Sequence, residues 1–287
     1  MNHGVTGRKI DWGGIFLYVF LTVFGLIMLA PLVYMASTSV KPISELFLFP
    51  PRFFPINPTL LNFRDLLLIT GTSFVPFSRY IFNSVIITGA IVFFGVLVSV
   101  MAAYPLAKHD MPFKNTIFSL IVTALMFSPM VLQIPQYLII SKSGLMNTYF
   151  AMILPYLAAP IGIFLMIQFL KQIPDSLLES ARLDGATEWR ILWTIILPLL
   201  KPAIATFALF SFVQAWNDPY PSMMYTTVEE LKSLPLAIQS ISGGAGVIAR
   251  VGTFAAASFL MIVPTIIVFI ITQRMVLQTM AHSGLKE

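Results

Sequence analysis

The chain has 287 residues, of which 57% are hydrophobic and only 10% charged, and its mean hydropathy is +0.87. A soluble domain carries about 25% charged residues, so the composition excludes a free globular protein and points to an integral membrane protein. The net charge of +5 fits lysines and arginines in topology-setting loops better than a nucleic-acid surface, and the absence of cysteine excludes disulfides, thiol chemistry and Cys-type zinc sites.

The start, "MNHGVTGRKIDWGG", places Arg8 and Lys9 before an uncharged apolar run over 15–36. That run exceeds the apolar core of about 7–15 residues in a cleaved signal, and it lacks a small-x-small site, so it reads as a retained first span. Six apolar stretches follow the length rule of roughly 20 residues per membrane helix: 13–36, 80–102, 115–138, 148–169, 200–221 and 254–274. The fold class expected is an all-α membrane protein of six transmembrane helices. No Asp, Glu, Lys, Arg or His lies inside these stretches; Lys201, Asp218 and Arg274 sit near their ends. Prolines 129, 135, 155, 160 and 264 fall within or at the edges of spans, where neighbouring helices can satisfy the freed carbonyls. The small residues of "FFGVLVSVMAAYPLA" (93–107) suit close helix packing.

Basic residues set the orientation. With the N-terminus inside, the inner segments carry Arg8, Lys9, Lys108, Lys114, Lys171, Arg182, Arg190, Lys201, Arg274 and Lys286. The outer ones carry Lys41, Arg52, Arg64, Arg79, Lys142, Lys232 and Arg250 over longer stretches. Both termini are then cytoplasmic, and so is the segment between spans four and five. The outer segment 37–79 is dense in proline and aromatic residues and is expected to be extended and turn-like. Its Phe47, Phe49, Phe53 and Phe54 suit either an aromatic belt at the interface or a docking surface for an external partner. The outer segment 222–253 pairs a short acidic, helix-like piece with the Gly-rich tip "SGGAG". Such a tip is either a linker or a finger that reaches into a partner's cleft.

Missing chemistry narrows the function. No GxxxxGK[S/T] occurs, so the chain does not cradle nucleotide phosphates itself. The three histidines, His3, His109 and His282, are scattered, which argues against a His metal cluster. Spans without ionisable groups argue against a proton-driven carrier, because such carriers hold charges at mid-membrane despite the cost.

The segment "LKQIPDSLLESARLDGATEWRILWTIILPLLKPAI" (170–204) is different in kind. Pro174 suits a first helical turn, and Asp175 complements the helix dipole. Leu177, Leu178, Ala181 and Leu183 give the first helix an apolar side, with Glu179, Arg182 and Asp184 polar. Gly185 can take the left-handed conformation that ends a helix. Thr187 is an N-cap candidate for a second helix starting at Glu188. Trp189, Leu192, Trp193 and Ile196, at i, i+3, i+4 and i+7, form its expected apolar face, and Pro198 marks the junction with span five. Two short helices joined by a sharp turn result. By themselves they also suit an amphipathic anchor on the membrane surface.

Glu179-Ser180-Ala181, then Gly185 after three residues, then Ile195, Leu197 and Pro198 after nine more, resemble the EAA loop of ABC importer permeases. Ser180 stands where that family usually has Ala; it is small, so close packing survives. The stretches "ESARLDGA", "WRILWTIILP" and "FVQAWNDPYPSMMY" (212–225) resemble the carbohydrate-importing, maltose-type branch in particular. The resemblance covers residue 10 to the end. It implies a single transmembrane permease domain over 1–287, with 170–199 as a coupling loop, in a bacterial or archaeal cytoplasmic membrane. It implies a transport subunit rather than an enzyme, with no cofactor bound by this chain, ATP and Mg being used by a partner ATPase dimer. The other implied partners are a homologous second permease subunit, an extracellular or periplasmic solute-binding protein and the lipid membrane, and no nucleic acid. By carry-over Glu179, Ser180, Ala181, Arg182, Asp184 and Gly185 contact the ATPase. A neutral sugar calls for aromatic and hydrogen-bonding groups, for which the spans offer Gln133, Gln136, Tyr137, Tyr156, Gln168, Gln214, Trp216 and Asn217. The position of Gly243, Gly244 and Gly246 implies contact with the binding protein. The alternatives are the same architecture carrying a non-sugar solute, or a free-standing secondary carrier.

Overall fold

The computed structural model describes residues 12–68, 75–242 and 250–284. Every regular element among them is helical. Four helices are long and apolar enough to cross a bilayer: Gly13–Ser39, Phe77–Lys108, Tyr149–Leu170 and Val251–Leu277. Two more crossings arise only if each of two bent pairs counts as one, Lys114–Leu125 with Pro129–Lys142, bent by 107°, and Glu188–Leu199 with Lys201–Asn217, bent by 75°. The expected third span is therefore two helices, while the expected fifth holds one helix, Lys201–Asn217, of 17 residues, with the bend just before it.

Proline explains where helices stop. The residue before a proline is pushed out of the helical region, while proline itself suits a first helical position. Pro129 and Pro160 each open a helix after a short break, the first splitting the third span and the second dividing the fourth into Tyr149–Leu157 and Pro160–Leu170. Pro31, Pro105 and Pro264 lie inside helices that continue past them. The fifth-span helix ends at Asn217, earlier than expected, because Pro219 follows.

The chain divides into two compact units, Met1–Leu66 with Gly246–Phe259, and Leu67–Ala245 with Leu260–Glu287. In the first unit, none of the first span's most apolar stretch is buried by the chain. The segment after it is more ordered than expected, with helices Ile43–Leu46 and Leu61–Leu68. The second of these forms where the prolines end. Asn62 is buried and its Nδ2 donates to the carbonyls of Ser39 (2.9 Å) and Lys41 (2.8 Å). Glu45 accepts the backbone N–H groups of Ile56 and Asn57, both at 2.9 Å. Those bonds, Ile56 first, hold its carboxyl below the usual carboxylate range. Phe49, Phe53 and Phe54 are exposed, with the Phe53 ring tilted against Tyr34 and edge-on to Phe54.

The second unit is organised on the second-span helix, Phe77–Lys108, which packs against Pro160–Leu170, Lys201–Asn217 and Tyr149–Leu157. The tightest approach is at Gly162, where an added Cβ would lie 2.5 Å from Ser99 Oγ and 2.6 Å from a ring carbon of Phe207. In lipid, such close contact rather than water exclusion holds helices together. At the N-terminal end of the second span, Asn83 is fully buried. It donates to the carbonyls of Glu230 and Lys232, each at 2.8 Å, and accepts from the Tyr149 hydroxyl at 2.7 Å. Ser84 Oγ accepts the N–H of Leu234 at 2.8 Å. These bonds fasten the segment after the fifth span, in which Leu234–Ser242 forms a helix that the sequence pattern did not announce.

Candidate functional site

The first helix of the 170–199 loop runs Asp175–Leu183, with Pro174 just before it as N-cap. It ends as the sequence implies. Gly185 takes φ +79, its N–H donates to Arg182 O at 3.0 Å, and the Ala186 N–H donates to Ala181 O at 3.0 Å. This bond pair is the Schellman closure, which needs a left-handed residue after the cap. Thr187 Oγ1 accepts the Arg190 N–H at 3.3 Å and caps the second helix, Glu188–Ile191.

The apolar faces differ from expectation. In the first helix only Leu178 is buried and Ala181 packs on the core, whereas Leu183 is 89% exposed. In the second, a π-helical turn over Leu192–Ile196 shifts the register. Residues five apart then share a face, so Ile191, Leu192 and Ile196 are buried while Trp189 and Trp193 point outward. Leu178, Ile191 and Ile196 belong to one core with Val100, Met166 and Leu170 of the spans. Counted against exposure to water, each such side chain contributes roughly 2 kcal/mol of burial. The loop is thus fused to the end of the bundle rather than lying free.

Polar bonds add to this. Glu188 accepts two donors from two other elements, Arg182 Nε on Oε1 at 2.8 Å and Tyr104 Oη on Oε2 at 2.6 Å, and His109 Nε2 lies 3.2 Å from Oε2. Arg182 first, then Tyr104, pull the Glu188 carboxyl down to about 2. A depressed carboxylate stabilises the fold above its ordinary pKa of 4.5 and loses that contribution as pH falls towards 2. The contact is therefore intact through the neutral range. Lys108 Nζ, on a side chain only 4% exposed, donates to Ile173 O (2.5 Å) and Asp175 Oδ1 (2.6 Å). That pairing holds Asp175 below the usual carboxylate range.

The carried-over residues separate into two groups. Glu179, Asp184 and Gly185 are exposed, and neither acid has an ion-pair partner among the described residues. Ser180 Oγ donates to Leu177 O at 2.9 Å, Ala181 faces the core, and Arg182 is paired with Glu188. Sequence reasoning missed Tyr104, Lys108 and His109, and took Glu188 only as a helix start. The one signal was a cluster of polar residues just where an apolar span ends.

The residues offered for a solute are not gathered round one cavity. Gln133, Gln136 and Tyr137 lie half-buried on Pro129–Lys142, where Tyr137 packs against the Ile140–Ala151–Tyr225 cluster. Trp216 is buried, stacked on Phe212, and its Nε1 donates to Met261 O at 2.8 Å. Gln214 and Asn217 are exposed, Asn217 Nδ2 donating to Val213 O at 2.8 Å, and Gln168 is half-buried. Tyr156 donates to Asp218 at 2.7 Å, and both line a cavity of about 10 Å³ with Ser84, Thr88 and Ser233. Gly243, Gly244 and Gly246 lie outside the described residues. Among the described residues, no group of three His, Asp or Glu side chains is placed to hold a metal ion.

Apolar helices long enough to cross a membrane thus carry an exposed two-helix loop between them. Residues 95–279 match the family described as binding-protein-dependent transport system inner membrane component, and the chain belongs to that family. It is 31% identical over 260 residues to the sulfoquinovosyl glycerol transport system permease protein SmoH of Agrobacterium fabrum, covering 90% of this chain and 89% of the relative. It is 31% identical over 258 residues to the arabinooligosaccharides transport system permease protein AraQ of Halalkalibacterium halodurans, covering 89% and 90%. A crystal structure of a bacterial ABC transporter involved in the import of the acidic polysaccharide alginate shares the fold, with a TM-score of 0.76 at 24% identity over 95% of this chain and 99% of that one.

Proposed function

We propose that the chain acts as one permease domain of an ATP-driven carbohydrate importer, and that a separate ATPase docks on its 170–199 loop. The observation that carries the docking role is the exposed edge formed by Glu179, Asp184 and the left-handed Gly185. Among the described residues neither carboxylate has an ion-pair partner, yet both stand on a loop whose apolar side is built into the bundle core. A rigid, charged edge of this kind suits a soluble partner better than lipid, where unpaired carboxylates are costly. The ATPase supplies nucleotide and Mg, a second permease subunit completes the path, and an external binding protein delivers the solute. Both termini and the loop lie in the cytoplasm, as the basic residues imply.

The sugar assignment is supported by the relatives, whose names specify sulfoquinovosyl glycerol and arabinooligosaccharides. A phosphorylated solute is the second reading, favoured by 30% identity over 204 residues to the sn-glycerol-3-phosphate transport system permease protein UgpE of Yersinia enterocolitica. The test is uptake into proteoliposomes holding the full complex and its binding protein, with radiolabelled neutral oligosaccharides and glycerol 3-phosphate as probes. ATP-dependent uptake of an oligosaccharide is expected. Uptake of glycerol 3-phosphate alone supports the second reading, and uptake by this chain without ATP or ATPase contradicts both.

A further inference from the structure

The C-terminal end of the second span grips the first helix of the loop at both of its ends. Lys108 holds the N-terminal end through Ile173 O and Asp175. At the other end Glu188 joins Arg182 to Tyr104 and His109. The Lys108 and Tyr104 donors lie 65 to 84 positions from their acceptors in sequence, so those bonds do not arise from local turn formation; Arg182 and Glu188 are six apart. Lys108 is almost fully enclosed, and Tyr104 is buried. The acceptors are more open, with the Asp175 side chain 75% and the Glu188 side chain 46% exposed, so solvent screens the charge-assisted part of these bonds. Leu178, between the two grips, is buried in the same core as Val100 and Tyr104. A helix fixed at two ends and in the middle cannot pivot against its support.

We propose that Glu188 is a positioning residue, which with Tyr104 and Lys108 locks the first loop helix to the second span so that the two move as one body. This deepens the docking role proposed above and rests on it. The edge offered to the ATPase is Glu179, Asp184 and Gly185, whereas Arg182 and Glu188 are turned to the permease itself. The second span is the element to which a push on the loop is delivered. Its packing on the fourth and fifth spans, closest at Gly162, carries the displacement into the bundle. Coupling of this kind needs a rigid connection with two arrangements of the whole body, not a flexible one.

The test exploits the absence of cysteine. Paired spin labels at Ser176→Cys on the loop helix and Met101→Cys on the second span, both exposed positions, report one distance within the chain. The full complex is measured with and without Mg-ATP. The parent is expected to give the same single distance in both states. Glu188→Ala is expected to retain the ATPase but lose that fixed distance, giving a broad or nucleotide-dependent distribution. Tyr104→Phe, which removes one hydroxyl and nothing of the core, is expected to shift it in the same direction, and Glu188→Gln to fall between. ATP-driven uptake of a transported oligosaccharide is expected to drop about tenfold in Glu188→Ala. An unchanged single distance in Glu188→Ala and Tyr104→Phe overturns the proposal. So does loss of the ATPase with the distance intact, which makes Glu188 a docking contact. Retention of the ATPase by Glu179→Lys sinks the docking role instead, and leaves the label distances readable.

Discussion

Gly185→Val is expected to abolish ATP-driven uptake while leaving the chain inserted in the membrane. Gly185 holds φ +79, where a β-branched residue is strongly disfavoured. Among the described residues nothing lies within 4 Å of a Cβ at this position, so the cost there is of backbone alone. That cost is about 1–2 kcal/mol, enough to open the Schellman turn but not to unfold the membrane helices. Gly185→Asn separates the two uses of this residue, because asparagine tolerates the left-handed region. It is expected to preserve thermal stability and still weaken ATPase retention, since its side chain would occupy the edge proposed as the docking surface. Wild-type docking by Gly185→Asn would confine the glycine to the turn.

Gly162→Val has the larger effect on the fold. Here the backbone is ordinary helix, and the constraint is space: Ser99 Oγ and the Phe207 ring already occupy the place of a Cβ. Phe207 is itself buried at 3% exposure, so its ring has nowhere to move. Overpacking of this kind costs about 1–3 kcal/mol, and it falls where the second, fourth and fifth spans meet. The expected result in detergent is a lower thermal midpoint and a reduced yield of monodisperse protein, with Gly162→Ala milder. Phe207→Leu added to Gly162→Ala is expected to recover much of the midpoint. An unchanged midpoint in Gly162→Val would mean that the spans do not approach as described.

Local features of this chain were legible in its sequence and distant ones were not. The four long spans, the Gly185 turn and the Thr187 cap each depend on residues within a few positions, and composition or spacing marks them. The apolar face of the second loop helix was misjudged because counting at i, i+3, i+4 and i+7 assumes 3.6 residues per turn. The π-turn at Leu192–Ile196 breaks that count and sends Trp189 and Trp193 outward. Pro129 was read as tolerated within a span, yet it divides two helices at 107°. The contact of Glu188 with Arg182, Tyr104 and His109 joins residues up to 84 positions apart, and no spacing rule reaches that far. Trp216 illustrates a further limit. An indole near a span end suits sugar stacking and helix packing equally, and here its N–H is taken by Met261 O.

The central claim is that an ATPase engages the exposed acidic edge of the loop. Its most direct measurement is the amount of ATPase retained when the tagged permease is purified from membranes with Glu179 intact and with Glu179→Lys. Reversing a charge at a contact costs several kcal/mol in like-charge repulsion and lost pairing, so retention should fall at least about tenfold, with normal membrane insertion and an unchanged thermal midpoint. Equal retention by the two proteins would contradict the account, because the exposed carboxylate on which docking depends would then be doing nothing.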